Sequence, residues 1–539
     1  MTSGSFRARP TATALCAVAV AVVSLLPIGY LFLSGISLAD IADEFRYPAT
    51  AAAVWQTVGL TLLISVITVV LGVGCALLVV RSSLPFPRIF TVLFAMPLAV
   101  PGFVAAYAAY SSELTYAPQL GLVTSFGGAA LVLALTLYPY VFLPCVVALR
   151  HIDPALEEVV ASLRPRRSAI LLRVILPGLR PAMAAGVVIV ALHVLAEYGA
   201  MVQLGRSTLT TKIMAEMLDY ADYRSARSLS LLLMALAVAV LLFTHMLTGP
   251  NRTRDIARGV ARPPRRTPLG PLLVPVTIAA VVVPVAAVGP TVFMTIRGLT
   301  TPDRGIGVAW DVVGSALAST LGYAVTAALV ATVVALPVSW LITRRPSLVA
   351  TLSERGVWLA HAIPSAILAL ALVYLVTRLF PAVYKTSLVL IAAYVVLFLP
   401  LAVANQRVGL GAARRTYDDV AASLGAKPAK TFARITLPLA LPGFVAGALL
   451  VALDAGKELT TTLILVPFNG HTLSTELWAT TNGESLDFTA AAPYAGMLVL
   501  LGVPPVYLLV RNTLRHIDMS ATARIPAGKV DEPLAALPA

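Results

Sequence analysis

Hydrophobic residues occur along this chain in blocks of about twenty, separated by shorter polar or basic stretches. A block of that length, wound as an α-helix, crosses the hydrocarbon core of a bilayer, which is roughly 30 Å thick. The blocks predict twelve membrane-spanning helices, at about 13–35, 55–80, 89–110, 127–149, 182–204, 228–249, 269–294, 314–342, 357–376, 386–406, 443–466 and 490–511. The pattern therefore predicts an all-α, polytopic protein whose main surroundings are a lipid bilayer.

Prolines lie inside several of these blocks, namely Pro97, Pro101, Pro139, Pro364 and Pro400. Membrane helices tolerate proline where neighbouring groups satisfy the freed carbonyl oxygens. We expect these residues to kink the spans without interrupting them.

Composition agrees with a membrane protein. Of 539 residues, 59% are hydrophobic and 12% are charged, about half the charged fraction of a soluble domain. This excludes a soluble enzyme, a disordered regulator and a nucleic-acid binder, although the net charge is +14. The three cysteines lie inside apolar blocks and predict no disulfide framework.

Basic residues are distributed unevenly between alternate loops. With the N-terminus inside, 29 of the 39 Lys and Arg residues fall in inner segments and 9 in outer ones. Positive charge is retained on the cytoplasmic side of a membrane. The sequence thus predicts a multi-pass membrane protein with both termini in the cytoplasm.

The chain contains an internal repeat. Residues 156–186 match residues 417–447 at an offset of 261, and the same register places Glu197 on Glu458. Since each copy holds six spans, an even number, the copies share one orientation. We expect a first membrane domain at 1–249 with its repeated loop at about 150–181, a basic linker at 250–268, a second membrane domain at 269–512 with its loop at about 411–442, and a cytoplasmic tail at 513–539.

Each repeated loop predicts a helix, a turn and a second short helix along the membrane surface, the second helix being stopped by a proline before the next span. Acidic Glu158 and Asp419 stand where the positive end of the first helix would be. The alternative is an interfacial amphipathic helix with no partner.

These loops resemble the cytoplasmic EAA loop of permease subunits of bacterial ABC importers, approximately E-A-A-x-x-L-G and then I-x-L-P. The second loop fits well, and the first departs with Val159, Val160 and Arg164. The resemblance implies the type I (MetI-like) permease fold, a location in the bacterial plasma membrane, and a coupling helix that docks on an ATPase. The residues implied in coupling are Glu158, Ala161, Leu163, Pro177, Asp419, Ala421, Ala422, Leu424, Gly425 and Pro438.

No phosphate-binding loop of the form G-x-x-x-x-G-K-[ST] occurs in the sequence. We therefore expect a transport subunit without catalytic residues or a cofactor of its own. The resemblance implies two copies of a separate ATPase, which bind ATP and Mg²⁺, and an extracytoplasmic solute-binding protein. A carrier driven by an ion gradient is a less favoured alternative, because the spans offer few ionisable groups.

The substrate is indicated by the passage from Asp454 to Thr475, which is similar to a K-E-L-P-x-T-L-x-L-R-P-F run of ferric-iron permeases. It departs from that run at Thr460 and Val466. The resemblance favours ferric iron, with thiamine, a phosphonate or a polyamine as alternatives.

Glu197, Asp454 and Glu458 are the candidate residues of the translocation pathway, because ionisable groups within spans usually face a cavity or a partner. Carboxylates suit a hard cation, but we expect its transient passage and not a bound metal ion. Alternatively, Glu458 pairs with Lys457 and stabilises the bundle. His193, matched to Asp454 by the repeat, is interpreted as a packing residue.

Overall fold

The computed structural model describes residues 11–32, 35–152, 170–218, 220, 222–248, 267–301, 308–361, 363–413, 415–482 and 488–522. Within those ranges the regular structure is helical, as the sequence predicts. The helices of the first half are α1 (Thr11–Phe32), α2 (Leu38–Glu44), α3 (Pro48–Arg81), α4 (Pro87–Ala95), α5 (Gly102–Tyr116), α6 (Phe126–Leu137), α7 (Pro139–His151), α8 (Leu176–Ala196), α9 (Gly199–Gln203), α10 (Leu209–Leu218) and α11 (Tyr223–Thr248).

The second half repeats much of this order. Its helices are α12 (Leu273–Thr300), α13 (Trp310–Arg344), α14 (Leu348–His361), α15 (Ser365–Leu379), α16 (Ser387–Ala412), α17 (Arg415–Ser423), α18 (Pro428–Thr431), α19 (Leu437–Gly456), α20 (Thr460–Leu465), α21 (Leu473–Asn482) and α22 (Phe488–Thr522).

Nine helices among the described residues are long and apolar enough to cross a membrane, and the number rises to twelve if three bent pairs each count as one span. The pairs are α4 with α5, α6 with α7, and α14 with α15, bent by 90°, 46° and 100°. Every predicted span has a counterpart among these segments, so the multi-pass all-α fold is confirmed.

The prolines differ in effect more than we expected. Pro101 and Pro364 occupy equivalent positions of the repeat. At each of them two helices meet at nearly a right angle, so both segments are broken and not merely kinked. Pro400, in contrast, lies within the uninterrupted helix α16. A proline lacks the N–H that would continue the helix, but its neighbours decide whether the chain turns there.

Equivalent hydrogen bonds hold the two halves in the same local fold. The Thr57 hydroxyl oxygen of α3 accepts the N–H of Leu209 at 2.9 Å, and that of Thr320 in α13 accepts the N–H of Leu473 at 2.9 Å. Each bond fixes the start of a short helix, α10 or α21, against a long span. Because the bonded groups are buried, leaving either without its partner would be unfavourable.

The apolar cores do not follow the division of the sequence into halves. One core joins Ala17 and Ile28 of α1 to α13, α14, α15 and α16. The other joins Ala280 and Met294 of α12 to α3, α5 and α6. A Cβ atom at Gly356 of α14 would lie 3.2 Å from the Cβ of Ala21, which shows how closely α1 approaches. The first helix of each half therefore packs on the other half.

Candidate functional site

The first repeated loop lies largely outside the described residues, and with it the predicted coupling residues Glu158, Ala161 and Leu163. Pro177 is described, in the first turn of α8. A π-helical turn at Leu171–Ile175 leads directly into that helix.

The second repeated loop is described apart from residue 414. Helix α17 ends in a turn at Gly425, whose φ of +75° is one that side chains with a Cβ rarely adopt. The N–H of Ala426 donates to the carbonyl of Ala421 at 2.9 Å, which closes the end of the helix. The glycine at this position is thus required by the backbone.

The exposure of the loop's side chains separates two faces of α17. Ala421 is buried, whereas Asp419 and Ala422 are exposed and Leu424 at the turn is 81% exposed. The exposed side chains of Leu424 and Asp419 therefore form a small surface that a partner could contact.

The prediction that a proline stops the second loop helix is wrong in both copies. Pro438 lies in the first turn of α19, and the helix runs without interruption from Pro428 to Gly456. The N–H of Leu437 bonds to the carbonyl of Phe432, five residues back, so the turn at Phe432–Thr436 is π-helical. This wider turn precedes the proline and relieves the clash that its ring would otherwise make with the preceding turn.

The sequence singled out Asp419 but missed its neighbour Asp418. A carboxylate oxygen of Asp418 (Oδ2) lies 3.2 Å from Nε of Arg344, at the end of α13. The other oxygen (Oδ1) accepts the hydroxyl of Thr436 at 2.9 Å. The repeat did carry a signal for this contact, because Arg344 matches Arg81 at the end of α3.

Glu197 and Glu458 occupy equivalent positions just beyond the ends of α8 and α19. Glu197 accepts the N–H of Ala200 at 2.9 Å, while Glu458 accepts those of Thr461 and Thr462 at 3.0 and 3.1 Å. Both side chains are half-buried and lie within electrostatic range of one another. Each carboxylate therefore stabilises the start of a short helix, α9 or α20, where backbone N–H groups favour negative charge.

Lys457 pairs with Asp454 and not with Glu458, the partner that the sequence left open. Its Nζ lies 2.8 Å from Oδ1 of Asp454, and the two side chains are 21% and 25% exposed. Residues three apart on a helix share a face, whereas adjacent residues do not. The spacing alone could have identified this pair.

The His193 side chain is exposed, yet its ring packs against that of Tyr140 with the ring centres 4.8 Å apart, in agreement with the packing role that we expected. Its Nε2 is 3.3 Å from the hydroxyl of Tyr140, and its Nδ1 is 3.0 Å from the carbonyl of Ile189. Lys457 and Asp454 of the second half lie within electrostatic range of this imidazole. Polar groups of both halves therefore lie near one another.

One hydrogen bond and one ring contact join the two halves directly. Nε2 of Gln203 donates to the Thr481 hydroxyl at 2.7 Å, and the rings of Tyr198 and Trp478 lie 5.1 Å apart. At Gly199 an added Cβ would lie 2.5 Å from a methyl of Leu459. The short helix α9 therefore packs closely against α21 and against the residue that precedes α20.

Across the described ranges, no three or more His, Cys, Asp or Glu side chains are grouped so as to hold a metal ion. The carboxylates of Glu197 and Glu458 already accept backbone N–H groups. This arrangement can guide a passing solute by charge.

Comparison with known proteins extends these observations. A family model described as "Binding-protein-dependent transport system inner membrane component" matches residues 335–519. The chain is 30% identical, over 91% of its own length and 96% of the other's, to the Fe(3+)-transport system permease protein FbpB 2 of Haemophilus influenzae.

Shorter relatives match part of the chain. The sulfate transport system permease protein CysT of Salmonella typhimurium is 26% identical over 41% of this chain and 86% of its own length. The molybdenum transport system permease protein ModB of Mycobacterium tuberculosis is 31% identical over 36% of this chain and 78% of its own length.

Proposed function

We propose that ferric iron is the solute that this chain transports. The chain belongs to the family of binding-protein-dependent transport system inner membrane components and is the permease subunit of an ABC importer. The observation that carries the proposal is the similarity to an iron permease along nearly the whole of both chains. The sulfate and molybdenum permeases match much smaller parts of this chain.

The charges where the two halves meet support a cation over an oxyanion. Three carboxyl side chains, those of Glu197, Asp454 and Glu458, stand there against the single ammonium of Lys457. Carboxylate oxygens are hard donors that suit Fe(III). A sulfate or molybdate ion would meet net repulsion from the same groups.

We place the translocation pathway between the two halves, beside His193, Asp454 and Lys457. Glu197 and Glu458 flank it from equivalent positions, and their bonds to backbone N–H groups suit brief contact with a solute in transit. The contact between Gln203 and Thr481 closes one end of the pathway. We assign that end to the extracytoplasmic side, where the binding protein docks.

Two copies of a separate ATPase, carrying ATP and Mg²⁺, are proposed to dock on the two repeated loops. In the second loop the exposed Asp419 and Leu424 form the docking surface, with Ala422 beside them and Gly425 providing the turn. The residues of the first loop, from Glu158 to Pro177, are assigned the same role by the repeat.

The orientation follows from the basic residues, 29 of which lie in one set of alternate loops. We propose that both termini, the linker 250–268 and the tail 513–539 lie in the cytoplasm, in accordance with the positive-inside rule. Since shorter permeases match about two-fifths of this chain over 86% and 78% of their own lengths, the segments 1–249 and 269–512 are proposed to be two permease domains joined in one polypeptide.

Uptake of radiolabelled iron tests the substrate. A bacterial strain deleted for this chain and complemented with it should recover iron uptake, and excess unlabelled thiamine, sulfate or molybdate should not compete. Recovery of labelled thiamine or sulfate uptake without recovery of iron uptake would contradict the iron assignment.

A second arm tests the docking assignment. The double variant Glu158→Ala plus Asp419→Ala should reach the membrane at the normal level yet lose most uptake. As a control, the exposed Asp43→Asn change on α2 should leave uptake intact. Full uptake by the double variant would contradict the assignment of the loops.

A further inference from the structure

Three elements meet at Asp418, namely the coupling helix α17, the end of the long span α13 and the π-helical turn that opens α19. Its carboxylate lies 3.2 Å from Nε of Arg344 and accepts the hydroxyl of Thr436 at 2.9 Å. We infer that Asp418 is the positioning residue through which displacement of α17 by the ATPase reaches α13 and α19. This inference rests on the proposed docking of the ATPase on α17.

Burial distinguishes this contact from an ordinary surface ion pair. Exposed pairs contribute little, because water solvates both partners. Arg344 is only 7% exposed, and its Nη2 is buried without a hydrogen-bond partner among the described residues. Moving Asp418 away would leave a buried guanidinium without its counter-charge, which is strongly unfavourable. The pair therefore resists separation, and α13 is drawn along with α17.

The surroundings of Arg344 extend the contact into the membrane helices. The guanidinium lies 5.4 Å from the centre of the Trp340 ring, one turn earlier on α13, which is the range of a cation–π interaction. The Trp340 ring in turn meets Phe432 of the π-helical turn edge-on at 5.5 Å. Asp418 and Arg344 are thus part of a packed cluster that includes both spans.

The π-helical turn supplies the movable element. Such turns are rare, occur mostly as single turns inside α-helices, and are frequent at functional sites. Thr436, 1% exposed, is the last residue of this turn, and its hydroxyl is held by Asp418. A shift of α17 would therefore act on the helix at the position where its hydrogen-bond register already changes.

In the first half the repeat places Glu157 on Asp418, but Glu157 lies outside the described residues. Arg81 takes the place of Arg344, is equally buried, and donates from Nη2 to the carbonyl of Leu149 at 3.2 Å. Ile175, which the repeat places opposite Thr436, ends the corresponding π-helical turn and has no hydroxyl to donate. The connection through the π-helical turn is therefore specific to the second half.

The test uses the complete importer, with its ATPase and binding protein, in proteoliposomes supplied with MgATP and iron-loaded binding protein. Asp418→Asn and Arg344→Gln should retain ATPase binding within about two-fold, while iron uptake per ATP hydrolysed falls about five-fold or more, as expected for lost coupling between two sites. Asp419→Asn is the matched control, because that exposed acid should affect ATPase binding instead.

Two further variants keep the inference falsifiable if Arg344→Gln fails to fold. Thr436→Val removes only a hydroxyl and should lower uptake per ATP about two-fold, in line with the modest contribution of one hydrogen bond. The exchange Arg344→Asp plus Asp418→Arg should recover at least half of the coupling lost in the single variants. Ile175→Val in the first half is the control for Thr436→Val and should leave coupling unchanged.

Unchanged uptake per ATP in folded Asp418→Asn, or loss of ATPase binding equal to that of Asp419→Asn, would overturn the role of Asp418. If the unaltered chain fails to bind any ATPase, the proposed function itself fails. The two failures are therefore distinguishable.

Discussion

The two halves are alike in the side chains that accept backbone N–H groups, and they differ in their charged side chains. The acceptor threonines Thr57 and Thr320 and the acceptor carboxylates Glu197 and Glu458 stand in equivalent positions and receive equivalent N–H groups. These bonds maintain the fold whatever passes between the halves.

The charged positions are not equivalent. Asp454 of the second half corresponds to His193 of the first, and Lys457 corresponds to Ala196. The half-buried ion pair and the connection from Asp418 to the π-helical turn are both features of the second half. The fold is thus repeated, whereas these two charged contacts belong to the second copy.

Removing a charge of the second half should have the largest effect on stability, and it tests this difference between the halves most directly. Lys457→Ala leaves Asp454 without its partner and should lower stability by about 2 kcal/mol, less than the 3–5 kcal/mol of a fully buried pair because both side chains retain some exposure. Thermal unfolding in detergent measures this loss. The double change Asp454→Ala plus Lys457→Ala should restore stability without restoring uptake.

His193→Ala is the matched control at the equivalent position of the first half. Because its imidazole is exposed, this change should leave the unfolding temperature unaltered. If His193→Ala is as destabilising as Lys457→Ala, the charges are not concentrated as we describe.

A smaller effect should separate the two equivalent carboxylates. Glu458 accepts two backbone N–H groups and Glu197 accepts one. Glu458→Ala should therefore destabilise the protein by about 1.5 kcal/mol more than Glu197→Ala, the lower end of the range of about 1.5–3 kcal/mol for a hydrogen bond to a charged group, because both side chains are only half-buried. Glu458→Gln retains one oxygen acceptor, so its stability should lie between those of the two alanine variants. Equal unfolding temperatures of the two alanine variants would show that the second N–H contributes nothing.

The smallest effect concerns an acid of the first half outside the spans. The backbone N–H and hydroxyl of Ser37 and the guanidinium of Arg224 hold the pKa of Asp40 below its ordinary value of 3.8. The folded state therefore favours the carboxylate, and its contribution is present above about pH 4 and is lost as the pH falls further.

Unfolding measured against pH checks this sign. Asp40→Asn should be slightly less stable than the unaltered chain at pH 7, and the difference should shrink as the pH is lowered below about 4. Asp43→Asn on the same helix is the control, and its difference should be smaller at pH 7. A difference that grows on acidification would show the opposite shift.

The spans and the repeat could be predicted because both are visible in the order of residues along the chain, without knowledge of which helices are neighbours. Apolar length identifies a membrane helix, and the constant offset places Glu197 on Glu458 without knowledge of packing. The exchange of α1 and α12 between halves could not be predicted, because nothing in the apolar surface of α1 specifies Gly356 as its neighbour.

The site shows the same limit. Asp418 and Asp419 are adjacent acids, and which of them turns toward Arg344 is set by the rotation of α17 against α13. The prediction that Pro438 ends a helix was wrong because it applied the rule for an α-helical turn, whereas the preceding turn is π-helical. Only the arrangement in space decides such cases.

The packing of α1 on the opposite half has a consequence for biosynthesis. Ala21 leaves the ribosome roughly half a minute before Gly356, its neighbour on α14, at a synthesis rate of about 10 residues per second. During that interval the earliest helix must wait in the bilayer with its eventual contact surface covered by lipid. The packing of α1 is therefore completed only after the second half has been synthesised. In a product truncated before α14, the helix α1 would lack this contact.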